Sequence, residues 1–229
     1  MRLLGFRRRA MQTPGCGNGT YAAFVSGAQY ITAAMCLHRS LRSAGASCPF
    51  TLVHDDAQPH AALNQSVLRK LRNGLLGNGL SNATANLLPL TSLFGALGPT
   101  ASARAYFGAG ARKSGAPIGT SAHSMTQYLK LWMWALPYDR VVLMDLDVLP
   151  LVNLDPLLQL PSLLAGTESP LWLAAVRTNC KVHSFNSGLL VLRPSATALA
   201  TLQGALMNDL HAVRSRGKVL TKVRVSLAS

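Results

Sequence analysis

An unbroken apolar segment near the middle of the chain constrains the fold more than any other feature. Residues 141–144, Val-Val-Leu-Met, carry no polar side chain, and Asp145-Leu-Asp147 follows them at once. Short apolar runs rich in β-branched residues are typical of strands that are buried on both faces of a parallel sheet. Parallel strands need long crossover connections, which are usually helices. The segment therefore predicts an α/β fold with a central strand at Arg140–Met144.

The first third of the chain predicts a strand–helix–strand unit. A buried strand is expected at 21–26, a helix with regularly spaced apolar residues at 31–44 that stops before Gly45, and a second strand at Phe50–His54. Such a unit implies a parallel pair with a right-handed crossover. Later segments predict helices at 67–76, 127–136, 153–164 and 196–213, and strands at 171–176 and 188–192. This alternation predicts an α/β/α sandwich with a mostly parallel central sheet.

Composition divides the chain into a folded region and its flanks. The 229 residues suffice for one domain with a sizeable core. We expect a leader without periodicity at 1–19, a folded domain at 20–213 and a basic tail at 214–229. Within the domain, 77–122 is rich in Gly, Ala, Ser and Asn and is expected to form a flexible insertion without regular structure.

Charge favours anionic ligands. The chain has 22 Lys and Arg against 8 Asp and Glu, a net charge of +14, which suits nucleotide phosphates, nucleic acid or a membrane surface. The basic clusters lie mainly at the two ends and are interpreted as solvated tails. Because no aromatic residues are interleaved with them, nucleic-acid binding is not expected. No apolar run reaches the roughly 20 residues of a spanning helix, so no transmembrane segment is expected.

Cysteine and histidine spacing indicates no metal or redox motif. The four cysteines have no CxxC pair, so the expectation is that they are reduced and mostly buried, although an even count permits disulfides. They are Cys16, Cys36, Cys48 and Cys180. The histidines have no ligand spacing, and none is assigned a role.

Two of the eight acids follow the central apolar segment directly. In a continuing strand, Asp145 and Asp147 would face the same side with Cα atoms ~7 Å apart. Two carboxylates at that distance repel by roughly 2 kcal/mol at an effective dielectric of 20. A bound Mn²⁺ or Mg²⁺ would make the net interaction attractive, because both ions prefer oxygen ligands. Ligands of α/β proteins bind at this end of parallel strands. A strand that stopped at Met144 would leave both acids solvated, and spacing alone does not choose.

Three segments carry motifs in an order that occurs in one enzyme family. The longest, 128–158, contains Lys130-Leu, the D-x-D motif at Asp145-Leu-Asp147 and Asn153-Leu-Asp-Pro-Leu. The second is Phe185-Asn-Ser-Gly-Leu-Leu-Val-Leu-Arg-Pro-Ser, and the third is the opening strand and helix, 21–41. Together they resemble glycosyltransferase family 8, the glycogenin and galactinol synthase group. The resemblance covers roughly 20–56 and 125–196.

The resemblance implies a GT-A-type fold and transfer of a hexose from a UDP-sugar, with Mn²⁺ and with retention of anomeric configuration. The acceptor would be a carbohydrate, a polyol or a glycoprotein. The resemblance is also compatible with a homodimer and with a cytoplasmic or Golgi-associated location. In the family, the motif corresponding to Asp145-Leu146-Asp147 binds the donor, and its two acids ligate the metal that bridges the UDP phosphates.

The remaining roles are also carried over from the family. Lys130 would approach the donor phosphates or sugar, and Asn186 and Ser187 the donor sugar or the attacking hydroxyl. Gly188 would allow close backbone approach. The uridine site would be lined by Val25, Ser26 and Tyr30, with the Tyr30 ring against the base. Without the resemblance, Lys130 would be interpreted as a solvated lysine, Tyr30 as a core aromatic, and Asn-Ser-Gly as a plain turn. Trp132 and Trp134 are expected in helix packing.

The sequence departs from the family after Ser195. The family continues to a D-x-x-D-Q segment and to a histidine that supplies a third protein ligand, and neither pattern occurs here. We therefore expect a C-terminally truncated, weakly active protein. One alternative is an inactive relative that only binds a partner or carbohydrate. Another is a haloacid dehalogenase-type phosphatase with Asp145 as nucleophile and Asp147 as acid/base, although Leu149 stands where that motif needs a small hydroxyl residue or Val.

Overall fold

The computed structural model describes residues 16–56, 63–76, 85–94, 130–159, 173–177 and 185–205, which form one sheet with helices on both faces. The strands are β1 (Gly19–Val25), β2 (Phe50–His54), β3 (Ala85–Pro89), β4 (Arg140–Met144), β5 (Leu173–Arg177) and β6 (Phe185–Leu192). The helices are α1 (Ile31–Ser43), α2 (Gln65–Leu76), α3 (Leu90–Phe94), α4 (Asp155–Gln159) and α5 (196–205), with 3₁₀ helices at Ala28–Tyr30 and Lys130–Ala135. The predicted α/β/α sandwich is confirmed.

The sheet is mostly parallel, as predicted. Its order is β3-β2-β1-β4-β6-β5, and the first four of these strands run in the same direction. β6 is antiparallel to both of its neighbours, β4 and β5. The segments that directly follow β1, β2 and β4 and the first residues of β6 therefore lie at one edge of the sheet, which we call the carboxyl edge.

Each face of the sheet carries its own apolar core. Side chains alternate across β1, so Tyr21 packs towards α1, α2 and α4, and Ala22 packs towards α3, α5 and the second 3₁₀ helix. Trp132 and Trp134 are buried in the second core, with 1% and 6% of their surfaces exposed. Their predicted role in packing is confirmed.

The strand–helix–strand unit at the start of the chain closely follows its prediction. β2 and β4 have the predicted bounds, and α1 ends at Ser43. Gly45 has φ of 83°, and the amide of Ala46 donates to Leu41 O at 3.0 Å, which is the left-handed ending that glycine favours. Gly45 is thus the helix stop, as predicted. No helix within the described ranges is long and apolar enough to cross a membrane.

One predicted element is wrong in type, and in another the predicted helix is of the 3₁₀ kind. Residues 85–94, predicted as loop within the 77–122 insertion, form the edge strand β3 and helix α3. Their short apolar signal acquires strand structure by pairing with β2. The described part of the predicted helix at 127–136 is a 3₁₀ helix, Lys130–Ala135. Residues 77–84, 95–129 and 160–172 lie outside the described residues, as does the predicted helix beyond 205 and the tail at 214–229.

The expectation of reduced cysteines is wrong for Cys16 and Cys48, whereas the expectation that most cysteines are buried holds for these two of the three described. Cys16 and Cys48 are buried and form a disulfide with Cα atoms 5.5 Å apart. Cys36 is free but exposed, and Cys180 lies outside the described residues. The disulfide joins the turn before β1 to the segment before β2, so the folded region includes Cys16 and begins earlier than the predicted boundary at residue 20. Residues 1–15 lie outside the described part.

Lowering the pH towards 4 is expected to destabilise the fold through His38. Burial lowers the pKa of His38 to about 4, with help from the charges of Arg42 and Arg39. The neutral Nε2 accepts a bond from Arg42 Nε at 3.3 Å. The unfolded chain protonates His38 from about pH 6.5 downwards, whereas the folded chain does so only near pH 4. We therefore expect the free energy of unfolding to fall by about 3 kcal/mol between pH 6.5 and 4.

Urea unfolding across this pH range measures the effect. His38→Gln retains a hydrogen-bond acceptor that does not titrate, so its stability should depend less on pH in the same window. Equal pH dependence of the two proteins would contradict the assignment.

Candidate functional site

The ten residues predicted to bind or act on a donor all lie in segments that reach the carboxyl edge. Val25 and Ser26 close β1 and lead into the 3₁₀ helix that ends at Tyr30. The Asp145-Leu-Asp147 motif follows β4 directly, and the Asn186-Ser-Gly188 segment opens β6. Lys130 reaches the same edge through its contact with Asp145.

Asp145 is held by two elements. Its amide donates to Gly188 O at 2.9 Å, which extends the β4–β6 pairing by one bond. Its Oδ1 accepts a hydrogen bond from Lys130 Nζ in a direct ion pair. The two side chains are 28% and 25% exposed. Asp145 is therefore a partly buried, paired carboxylate and not a freely solvated one.

The two acids of the motif do not continue the strand. β4 ends at Met144, and the amide of Val148 donates to Asp145 O at 3.1 Å, which forms a turn. The spacing left two possibilities open, a strand that continues through both acids and a strand that stops at Met144, and the structure has the second. Leu146 is half-buried and packs against the core on the α1 side, whereas Asp147 is exposed. Burial of Leu146 anchors the turn, with one acid on either side of it.

Gly188 brings the backbone of β6 close to the motif. Its amide donates to Asn186 Oδ1 at 2.6 Å. A β-carbon at position 188 would lie 2.9 Å from that oxygen and 3.8 Å from Asp145 Oδ2. The first distance is too short for a carbon, so a larger residue would displace Asn186. Asn186 and Ser187 are exposed, which leaves their side chains open to a ligand at this edge.

The residues expected at a uridine site differ in what they expose. Val25 is fully buried, and its carbonyl accepts a hydrogen bond from the amide of Asp55 at 2.9 Å. Its side chain therefore lies in the core beneath the carboxyl edge. Ser26 is half-buried, and Tyr30 is 37% exposed. Tyr30 therefore does not belong to the core and presents part of its surface to solvent.

Two acids to which the sequence pattern assigned no role, Asp55 and Asp56, follow β2. Asp56 accepts the amide of Thr91 at 2.8 Å and also its hydroxyl, so it caps α3. Next to it, His54 is buried, and its Nδ1 has no hydrogen-bond partner. Burial lowers the pKa of His54, which keeps the ring neutral. The signal that could have identified Asp56 is a pair of acids directly after an apolar strand, the pattern that singled out Asp145.

A buried carboxylate, also missed from sequence, secures the segment after the motif. Asp155 accepts hydrogen bonds from the hydroxyl of Tyr21, from Ser47 and from Cys48. It also lies close to the sulfur atoms of Cys16 and Cys48. Because those sulfurs are bonded to each other, this cluster is structural and is not a metal site.

The donor set of the motif suits a hard divalent cation. Asp145 and Asp147 offer carboxylate oxygens, the ligands that Mn²⁺ and Mg²⁺ prefer. The Lys130 ammonium already contacts Asp145 Oδ1, so an ion bound there would displace that contact or share it. In chemical type, Asp145 and Asp147 are the residues that could hold a divalent ion here.

Comparison with known proteins supports the fold and leaves the sequence family open. No protein-family model matches the chain, and no curated protein matches its sequence. Among solved structures, the galactosyltransferase LgtC with donor and acceptor sugar analogues is 16% identical with a TM-score of 0.52, and an active-site mutant of LgtC gives the same values. The apo-form glycosyltransferase GlyE of Streptococcus pneumoniae TIGR4 is 14% identical with a TM-score of 0.50.

The matches cover most of this chain but only part of its structural neighbours. The LgtC match includes 88% of this chain and 66% of LgtC, and the GlyE match includes 86% and 39%. The chain thus spans slightly less than two thirds of LgtC. At these identities the likeness establishes the fold, which is the GT-A type found in glycosyltransferases.

Proposed function

We propose that this protein is a glycosyltransferase that moves a hexose from a UDP-sugar to a hydroxyl acceptor, depends on Mn²⁺ and retains the anomeric configuration. The observation that carries the proposal is the cluster of Lys130, Asp145 and Gly188 at the carboxyl edge of a GT-A-type sheet. This edge is where α/β proteins bind nucleotides. The acceptor class is a carbohydrate, a polyol or a glycoprotein.

The charges at the edge suit a metal–diphosphate group. Asp145 and Asp147 would hold Mn²⁺, and the ammonium of Lys130 would hold an oxygen of the diphosphate. When bound, the metal supplies Lewis-acid stabilisation of the charge that develops on the leaving diphosphate. Lys130 adds a positive charge beside it, on a side chain that is only one-quarter exposed to water. Partial exclusion of water strengthens that electrostatic contribution.

The polar groups at the start of β6 suit a sugar. The Oδ1 atom of Asn186 is engaged by the amide of Gly188, so its amide nitrogen remains available to donate to a sugar hydroxyl. Ser187 adds an exposed hydroxyl beside it. On the other side of the edge, the exposed part of the Tyr30 ring offers a surface for the uracil base, and Ser26 adds a half-buried hydroxyl. Leu146, between the two acids, packs against the core and holds the motif in place.

UDP release tests the proposal directly. The full chain is incubated with a panel of UDP-hexoses, with Mn²⁺ or with EDTA, and the released UDP is measured. We expect release that requires Mn²⁺ and that rises when the correct acceptor is added, and NMR of the product should show the donor's anomeric configuration. Mn²⁺-dependent UDP binding without release would contradict the enzymatic proposal and indicate a binding module. Hydrolysis of a phosphate ester to inorganic phosphate, lost when Asp145 is replaced, would indicate a phosphatase.

Replacing Gly188 with alanine is expected to weaken donor binding with little effect on stability. The added β-carbon would meet Asn186 Oδ1 at 2.9 Å, which moves a side chain proposed to contact the sugar. We expect the KM for the donor to rise roughly tenfold, because small displacements of positioning groups have large effects on rate and binding. Steady-state kinetics and thermal unfolding measure the two effects.

Gly204→Ala is the matched control for this substitution. Gly204 lies in α5 and has open space around its α-carbon, so alanine there should leave the KM unchanged. A KM for Gly188→Ala equal to that of the unaltered protein would show that the close approach at Gly188 plays no part in donor binding.

A further inference from the structure

Lys130 is paired with a proposed metal ligand. Its ammonium contacts Asp145 Oδ1 in a direct ion pair. Asp145 Oδ2 faces β6, where it lies 3.8 Å from the place of a β-carbon on Gly188. One carboxylate oxygen is therefore occupied by a cation, and the other lies against the backbone of the neighbouring strand.

The helix that carries Lys130 is firmly packed. Trp132, Met133 and Trp134 are all buried in the core beneath the 3₁₀ helix. The backbone of Lys130 is thus anchored close to Asp145, and its long side chain provides the remaining freedom. With four methylene groups, the ammonium can move by several ångströms while the helix stays in place.

The same ammonium has opposite effects on two ligands. A free divalent ion that binds Asp145 must displace the ammonium or accept it as a neighbour of like charge, which opposes binding. A metal–nucleoside-diphosphate complex brings its own negative charge, and the displaced ammonium can pair with a phosphate oxygen. The pair of Lys130 and Asp145 therefore discriminates between the bare ion and the ion carried by a diphosphate.

We infer that Lys130 is an exchangeable counter-ion that makes this site selective for the metal–nucleoside-diphosphate complex over the free divalent cation. The inference rests on the proposed function, since it assumes that Asp145 and Asp147 hold a metal. It adds that Lys130 opposes metal binding in the absence of donor and supports donor binding in the presence of metal. Lys130 is thereby a specificity-determining residue as well as a donor contact.

Lys130→Met separates the two effects because methionine has a similar length and no charge. Mn²⁺ binding without nucleotide is followed by electron paramagnetic resonance, in which the signal of the free ion disappears on binding. UDP binding at saturating Mn²⁺ is followed by calorimetry. We expect the variant to bind Mn²⁺ roughly five times more tightly and UDP roughly ten times more weakly, since a partly exposed ion pair and a charge-assisted bond are worth about that much.

Two further variants act as controls. Lys70→Met removes the same charge from an exposed position on α2 and should leave both affinities unchanged. Lys130→Arg retains the positive charge and should keep Mn²⁺ binding close to that of the unaltered protein. If Lys130→Met proves unfolded by circular dichroism, Lys130→Gln replaces it in both titrations.

The outcomes distinguish the inference from the proposal beneath it. If the unaltered protein and Lys130→Met bind Mn²⁺ equally, or if Lys130→Met binds it more weakly, the counter-ion role is wrong and the proposed function stands. If neither protein binds Mn²⁺ with or without UDP, the proposed metal site and the exchange both fail. Opposite changes in the two affinities, absent from Lys70→Met, support the inference.

Discussion

Replacing Asp145 with asparagine is expected to reduce Mn²⁺-dependent UDP-sugar turnover by roughly a thousandfold, the order of effect of losing metal stabilisation of a leaving group. The neutral amide cannot neutralise a divalent cation, and it also releases Lys130 from its ion pair. The backbone bond from residue 145 to Gly188 O does not depend on the side chain, so the fold should persist. Initial rates of UDP release, together with circular dichroism, measure both expectations.

Asp139→Asn is the matched control for this substitution. Asp139 is exposed and precedes the same strand, β4, at its opposite end, where its amide donates to Asn18 O at 2.9 Å. The change removes the same charge from the chain but leaves the carboxyl edge intact. We expect turnover close to that of the unaltered protein. Full activity of Asp145→Asn would overturn the role of Asp145 as a metal ligand, whatever Asp139→Asn shows.

The largest effect on stability is expected at Asp155. This buried carboxylate accepts bonds from Tyr21 Oη at 2.6 Å, from the amide and hydroxyl of Ser47 at 2.8 Å each, and from the amide of Cys48 at 3.3 Å. Asp155→Ala would leave these donors without partners in a buried position. We expect the free energy of unfolding to fall by about 3 to 5 kcal/mol, because each buried donor that loses its partner costs about 1 to 3 kcal/mol.

Tyr21→Phe provides a smaller step in the same network. It removes one donor and leaves Ser47 and Cys48 bonded to Asp155, so a loss of about 1 to 2 kcal/mol is expected. Urea unfolding of both variants gives the comparison. Equal losses from the two substitutions would indicate that Tyr21 accounts for the whole contribution of the network, contrary to the four bonds observed.

The pH dependence of the Asp155 contribution has a defined sign. Burial acts to raise the pKa of Asp155, but the hydrogen bonds from Tyr21, Ser47 and Cys48 outweigh it and hold the pKa below its usual value. The stabilisation is therefore complete above the usual aspartate range and is lost as the pH falls through the lowered pKa. In Asp155→Asn, the free energy of unfolding should no longer show this dependence on pH below about pH 4.

Asp155 also links the stability of the fold to the candidate site. It opens α4, eight residues after Asp147, and fastens that part of the chain to β1 and to the segment before β2. Ser40 donates to Pro150 O at 2.6 Å and provides a second attachment for the same segment. These bonds limit the movement of the chain that follows the motif. A weakened Asp155 network should therefore lower activity as well as stability.

Local pattern was sufficient for elements whose stability is local or whose burial is complete. The bounds of β2 and β4 follow from short, largely apolar segments that are buried in the sheet, and the end of α1 follows from Gly45, whose positive φ other residues avoid. Pattern failed where structure depends on a neighbour. β3 exists because its backbone pairs with β2. The helical pattern at 127–136 did not specify the 3₁₀ form that Lys130–Ala135 adopts.

The sequence by itself determined the α/β class, the buried strand that ends at Met144, and the acidic residue types of the proposed metal–diphosphate site, because periodicity and side-chain chemistry are local properties. Only the tertiary structure decided which groups meet. It turned the chain at Asp145, paired Lys130 with that acid, joined Cys16 to Cys48, and buried Asp155 among donors that lie more than a hundred residues away. Such contacts depend on the three-dimensional packing of distant segments, which no single stretch of sequence contains.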